Sequence, residues 1–253
     1  MNETHKPFPP VFATNRPETQ QTVAAELNRL FEGTRRDFKD APPLAIATAY
    51  INPGGFSLVA DELERAPKVR LLLGAEPNPN TYGPLEKPLD RGALEEALGE
   101  HEQWLSAERD LTGFTRREDH LARRLVDWLA KKDDEGNARV EVRRFTDGFL
   151  HGKAFIVEHP TMPSVLAGSS NFTYAGLARN HELNLGYPST QYTYLVQEWF
   201  NELWEKAEPF DLAGLYEARW APHSPWLIFM RLLYELYSDH LDAEDDTKVR
   251  TLL

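Results

Sequence analysis

Residues 148–186 read GFLHGKAFIVEHPTMPSVLAGSSNFTYAGLARNHELNLG. Apolar and polar side chains alternate through its first part, the period of a β-strand. His151 and Lys153 stand two apart, and in a strand residues i and i+2 point to one face. They therefore project together, while Leu150 and Phe155 serve the core. Further on comes Gly168-Ser169-Ser170-Asn171, where Ser169 and Asn171 again share a face at a strand end. Glu182, within Asn180-His181-Glu182-Leu183-Asn184, opens another strand.

These positions supply an imidazole, an ammonium, a hydroxyl, a carboxamide and a carboxylate. The set suits a phosphodiester. A neutral His attacks phosphorus when its other ring nitrogen donates to a carboxylate. Lys153 and Asn171 hydrogen-bond the non-bridging oxygens and stabilise charge growing in the transition state. The scheme needs no metal and no cofactor.

Working outward, 139–145 (RVEVRRF) has period two, and SVLAGSS and ELNLGY add further strands. Upstream, APPLAIATAYI is a short apolar run broken by Asn52-Pro53-Gly54-Gly55. FSLVADELERA then reads as a short helix and KVRLLLG as a second apolar strand. Strand, helix and strand with short links make a βαβ unit, and unbroken apolar strands imply a sheet covered on both faces. The fold class expected is therefore α/β, a mixed sheet with helices on both faces. Its strands fall near 44–50, 68–74, 139–145, 149–157, 164–169 and 182–187.

Residues 1–39 read as a polar arm followed by an amphipathic helix on Val23, Leu27, Leu30 and Phe31. The main domain spans 40–208, with a helical insertion over about 75–137 in which Leu121, Leu125, Val126 and Leu129 line one face. Trp199, Phe200 and Trp204 mark a packing helix over 191–206. The tail, 209–253, ends in the apolar helix SPWLIFMRLLYELYSDHL and a charged stretch.

The central motif resembles that of the phospholipase D superfamily, His-x-Lys-x4-Asp followed by Gly-Ser-x-Asn and a downstream acid. Here it reads His151-x-Lys153-x4-Glu158, Gly168-Ser169-x-Asn171 and Glu182, with Glu158 where the family has Asp. GSSNFTYAGLARNHELN is similar to the nuclease branch, and LAIATAYINPGGFSLVADELERAPKVRLLLG resembles the first βαβ unit of such domains. The resemblance implies a phosphohistidine mechanism in which a second His protonates the leaving group, with Glu158 in a supporting place. This chain holds one motif copy, so the resemblance implies a homodimer with a composite site on its dyad. The tail is similar to the linker before the motor of bacterial superfamily 2 or Snf2-type helicases, some of which belong to anti-phage defence loci.

Composition narrows the function further. With 40 acidic and 28 basic residues the net charge is −12, so nucleic-acid binding must rest on a local site. Arg139, Arg143 and Arg144, beside Lys153, are the local excess of positive charge and the candidate contacts to a nucleic-acid backbone. There is no cysteine, which removes disulfides and thiolate chemistry and fits a reducing cytoplasm. No apolar run spans a membrane and the start carries no secretory signal. The leading expectation is a metal-independent nuclease domain acting on DNA rather than RNA. The alternatives are a catalytically weak DNA-binding and dimerisation module, favoured by Glu158 and the acidic charge, and a lipid phosphodiesterase. The latter lacks an apolar membrane-facing lip.

Overall fold

The computed structural model describes residues 11–16, 21–38, 41–74, 116–148, 150–159, 163–188 and 191–219. In chain order these form β1 (Val11–Ala13), α1 (Val23–Phe38), β2 (Leu44–Thr48), α2 (Pro53–Ser57), α3 (Ala60–Leu63) and β3 (Val69–Leu73). Then come α4 (Arg116–Leu129), β4 (Val140–Arg144), β5 (Lys153–Val157), β6 (Ser164–Gly168), α5 (Tyr174–Ala178) and β7 (Asn184–Pro188). The last are α6 (Gln191–Lys206), β8 (Glu208–Pro209) and α7 (Leu212–Arg219).

One mixed sheet takes all eight strands in the order β1-β7-β6-β5-β2-β3-β4-β8. β2, β3 and β4 are parallel, as the apolar runs and the helical link between β2 and β3 require. β5, β6, β7 and β1 continue antiparallel from β2, and β8 closes the other side antiparallel to β4. The expected α/β architecture is present.

Strand parity divides the core. Ala45, Leu72, Ala154, Ile156 and Val165 face α6, where Phe200 and Trp204 are buried against them. Truncating either aromatic to Ala removes about 3–5 kcal/mol. Ile46, Leu71 and Phe155 face the other way, under helices that bury Leu27, Phe56, Leu63, Leu125 and Leu177. There Phe155 meets Phe172 edge-on at 5.7 Å, and Phe56 meets Trp128 at 4.9 Å.

Several boundaries differ from the sequence reading, each for a physical reason. β5 begins at Lys153, not 149, because its last ladder partner on β6 is Gly168. His151 thus precedes the strand. The segment read as one helix over FSLVADELERA is two short helices, α2 and α3, the first capped by Asn52 Oδ1 accepting from Gly55 N at 2.8 Å. α4 buries Ala122, Leu125, Trp128 and Leu129, whereas Leu121 and Val126 are half-exposed, so its inner face is rotated from the one expected. The polar arm contains β1, an edge strand of three residues. Packing also continues past 208: Leu212 and Tyr216 of α7 are buried, and the Tyr216 hydroxyl donates to Ile51 O at 2.6 Å. Residues 75–115 of the expected insertion over about 75–137, and the apolar helix 225–237, lie outside the described residues.

Candidate active site

The ladder sets a row across the sheet: Lys153 pairs with Gly168, Gly168 with Asn184, and Asn184 with Ala13. Just beyond this row lie His151, Ser169, Ser170, Asn171 and Glu182. Residues far apart in sequence therefore reach one end of the sheet because β5, β6 and β7 are hydrogen-bonded neighbours. His151 is exposed, while Lys153 is only 3% exposed.

Close approach fixes each segment. A Cβ on Gly152, between His151 and Lys153, would stand 2.8 Å from the ring of Trp199 and push that ring aside. A Cβ on Gly168 would collide with Leu183 O, which holds the end of β6 against the start of β7. Ser169 ties the same two segments. Its N–H donates to Leu183 O at 3.1 Å, and its hydroxyl oxygen accepts from Leu183 N at 3.0 Å. The hydroxyl itself donates to the Glu182 carboxylate. Ser169 and Glu182 thus act as one hydrogen-bonded unit.

The chain then crosses from β6 to the end of β2, where Phe172 bridges Ile51. Phe172 N donates to both Tyr50 O and Thr48 Oγ1 at 3.0 Å, and Asn52 N donates to Phe172 O at 3.1 Å. Thr48, fully buried, fixes its own hydroxyl by donating to Tyr50 O at 2.8 Å. Half-buried Asn171 is therefore carried on a braced backbone.

The Glu182 loop is braced from the N-terminal strand. Glu182 N donates to Thr14 O at 3.4 Å. Next to it Asn15, 3% exposed, adopts φ 54°, a left-handed conformation that Asn tolerates. Its Nδ2 donates to Gly176 O at 2.8 Å and Asn180 O at 3.0 Å, and its Oδ1 accepts from Val23 N at 2.8 Å. Asn184, 1% exposed, donates to Ser170 Oγ at 2.8 Å and Ala13 O at 3.4 Å. Sequence reasoning missed the bracing roles of Asn15, Thr48 and Asn184. Their partners lie on other elements, and no local pattern around these residues signals them.

The other expected residues sit elsewhere. Glu158 follows the far end of β5, where Val157 pairs with Leu44. It faces α6, and its carboxylate accepts from the Arg70 guanidinium and from Gln197 Nε2 at 3.3 Å. Arg70 also donates to Asn201 Oδ1 at 2.8 Å and lies 4.9 Å over the Phe200 ring. Arg139, at the same far end, donates to Ala66 O and to Glu64 O at 3.3 Å. Arg143 donates to Trp204 O at 2.9 Å and covers its ring at 4.7 Å. Arg144 stacks on Phe210 at 4.7 Å, with β3 and β2 between its strand and β5. The three arginines do not converge on His151. His159 follows Glu158 at the far end, whereas His181 precedes Glu182.

An exposed imidazole, a buried ammonium and a serine–carboxylate pair thus lie at one end of this sheet. A model described as "Cardiolipin synthase, PLD-like domain" covers residues 45–204. The chain belongs to the PLD-like family. The matched span runs from β2 to α6 and so takes in His151, Lys153, Ser169, Asn171 and Glu182 with their turns. Among solved structures, the chain is similar to Nuc of Salmonella typhimurium, a phospholipase D family member, at 12% identity and TM-score 0.43, over 80% of this chain and 97% of that one. It is similar to NucT of Helicobacter pylori at 12% identity and TM-score 0.45, over 80% and 99%. It also resembles TrmBL2, an archaeal chromatin protein, at 16% identity and TM-score 0.38, over 82% and 56%. No curated protein sequence matches the chain. Among the described residues of this PLD-like chain, no helix is long and apolar enough to cross a membrane.

Proposed function

We propose that this PLD-like chain is a phosphodiesterase that cleaves nucleic acid, DNA before RNA, through a phosphohistidine. The imidazole nitrogen of His151 attacks phosphorus, the P–N bond forms and the P–O bond to the leaving strand breaks. The leaving oxygen takes a proton from a second imidazole, His151 of the partner subunit in a homodimer. Water then attacks phosphorus, gives its proton to that second imidazole, and releases His151. Lys153 and Asn171 stabilise the phosphoryl oxygens, and Glu182, steadied by Ser169, stabilises the positive charge on the phosphorylated ring. Each step uses the chain's own groups.

The observation that supports this reading is the delivery of His151, Lys153, Ser169, Asn171 and Glu182 to one sheet end by the β5-β6-β7 register. The same proposal places the chain in the cytoplasm, ahead of a helicase motor, in DNA processing or anti-phage defence. The support for that context is the tail sequence 224–241. The test is cleavage of labelled DNA by purified protein in EDTA, beside His151→Ala. Cleavage by the parent chain and none by the variant is expected. Equal products from both, or none from either, refute the proposal.

A further inference from the structure

Tyr174 is a large aromatic side chain that the fold holds out to solvent. It lies three residues beyond Asn171, opens α5, and is 51% exposed. Its backbone is held from two sides. Tyr174 N donates to Asn52 Oδ1 at 3.2 Å, and Thr173 Oγ1 accepts from Gly176 N at 3.1 Å. Its Cβ would meet a Cβ on Gly54 at 3.0 Å, so the glycine of the β2–α2 turn leaves room for its stem. A rigidly based, exposed ring three residues beyond Asn171, the carboxamide assigned to the phosphate under the proposed function, has the chemistry of a stacking platform. Every nucleobase offers a π-face, and one base stacked on an aromatic side chain contributes roughly 5- to 150-fold in affinity.

The charged side chains point the same way. Tight duplex binding depends on cations facing many phosphates. Among the described residues, Arg29, Arg65, Lys68, Arg70 and Arg124 are paired with carboxylates, and Arg139 and Arg143 with backbone carbonyls. With a net charge of −12, duplex binding by this chain has to rest on a local cluster of cations. A base inside a duplex also presents no open face to Tyr174 unless it is first unstacked.

We propose that Tyr174 stacks on the base next to the reacting phosphate and makes unpaired nucleic acid the preferred substrate. This rests on the phosphodiesterase reading for the place of the phosphate, but binding tests it apart from turnover. The experiment measures fluorescence anisotropy of a labelled single-stranded oligodeoxynucleotide, the same backbone without bases, and the duplex. Each is titrated with the parent chain, Tyr174→Ala, Tyr174→Phe and His151→Ala. The parent chain and His151→Ala are expected to prefer the single strand. Tyr174→Ala is expected to lose roughly 5- to 150-fold on the single strand and less than about twofold on the abasic backbone, with Tyr174→Phe near the parent. This pattern in a chain that cleaves nothing upholds the stacking role while the hydrolytic reading falls. Tighter duplex binding, equal losses with and without bases, an unaffected Tyr174→Ala or no binding at all overturns the stacking role. Cleavage of duplex in preference to single strand overturns it while leaving phosphodiester hydrolysis in place.

Discussion

Replacing Glu158 by Gln should lower stability and leave turnover intact. The ion pair it breaks is half-buried, with the Arg70 and Glu158 side chains 18% and 14% exposed. Losing one partner of a fully buried pair removes about 3–5 kcal/mol, and an exposed pair is worth at most about 1 kcal/mol. Arg70 keeps Asn201 and the Phe200 ring, and the substituted carboxamide still offers it a carbonyl oxygen. The expected loss is therefore about 1–2 kcal/mol, a fall in Tm of roughly 2–8 °C for a domain this size. Glu158→Asp, the family residue, draws the carboxylate back by one methylene and falls between the parent and Glu158→Gln. Thermal unfolding followed by circular dichroism gives the first number, and initial rates on a chromogenic phosphodiester and on DNA give the second. Glu182→Gln is the contrasting variant, with the roughly 10⁴-fold loss that follows when the group orienting a catalytic His is removed. A dead Glu158→Gln with unchanged Tm, beside a nearly normal Glu182→Gln, would refute the assignment and bring Glu158 into the chemistry.

Ser169→Ala removes the hydrogen bond to the Glu182 carboxylate and the one accepted from Leu183 N, so turnover should fall about 10- to 100-fold with a small fall in Tm, read from the same two assays. Gly168→Ala forces a methyl into Leu183 O and should lose stability at the upper end of about 1–3 kcal/mol, measured by urea unfolding. Asp61 sits below the usual carboxylate range because the Arg124 guanidinium donates to it and attracts it. A depressed carboxyl stabilises above its unfolded pKa and loses that contribution as pH falls through its folded pKa. Asp61→Asn should therefore melt below the parent at neutral pH, with the two curves converging in acid below the ordinary Asp range. A constant difference down to the lowest pH contradicts this.

The sheet was readable because β2 is an unbroken apolar run and β3 and β5 are apolar but for Arg70 and Lys153, and the site because His151-x-Lys153 and Gly168-Ser169-x-Asn171 stand at strand ends. The position of Glu158 was also open to reading: it lies an odd number of residues from His151, a step that puts it on the other face. Its distance along β5 adds the rest. The arginines were not readable, because Arg139 and Arg143 meet carbonyls of Glu64, Ala66 and Trp204, and Arg144 meets the Phe210 ring, all on other elements. Nor was β1, whose three residues have too little pattern to outweigh Pro-rich flanks. The inner face of α4 shifted because Trp128 fills the space beside Phe56, which helical spacing of leucines does not reveal.

Asn15 reaches across 165 residues of sequence to Asn180 O, and that span sets a clock on biosynthesis. A ribosome adding about 5–20 residues per second needs roughly 8–33 s to make the interval. Until then Ala13 has no Asn184 to pair with, and the Glu182 loop has no support from Thr14. A PLD-like chain that emerges in this order adds β1 to its sheet only after β7 has been made, so the first strand in sequence is among the last to pair.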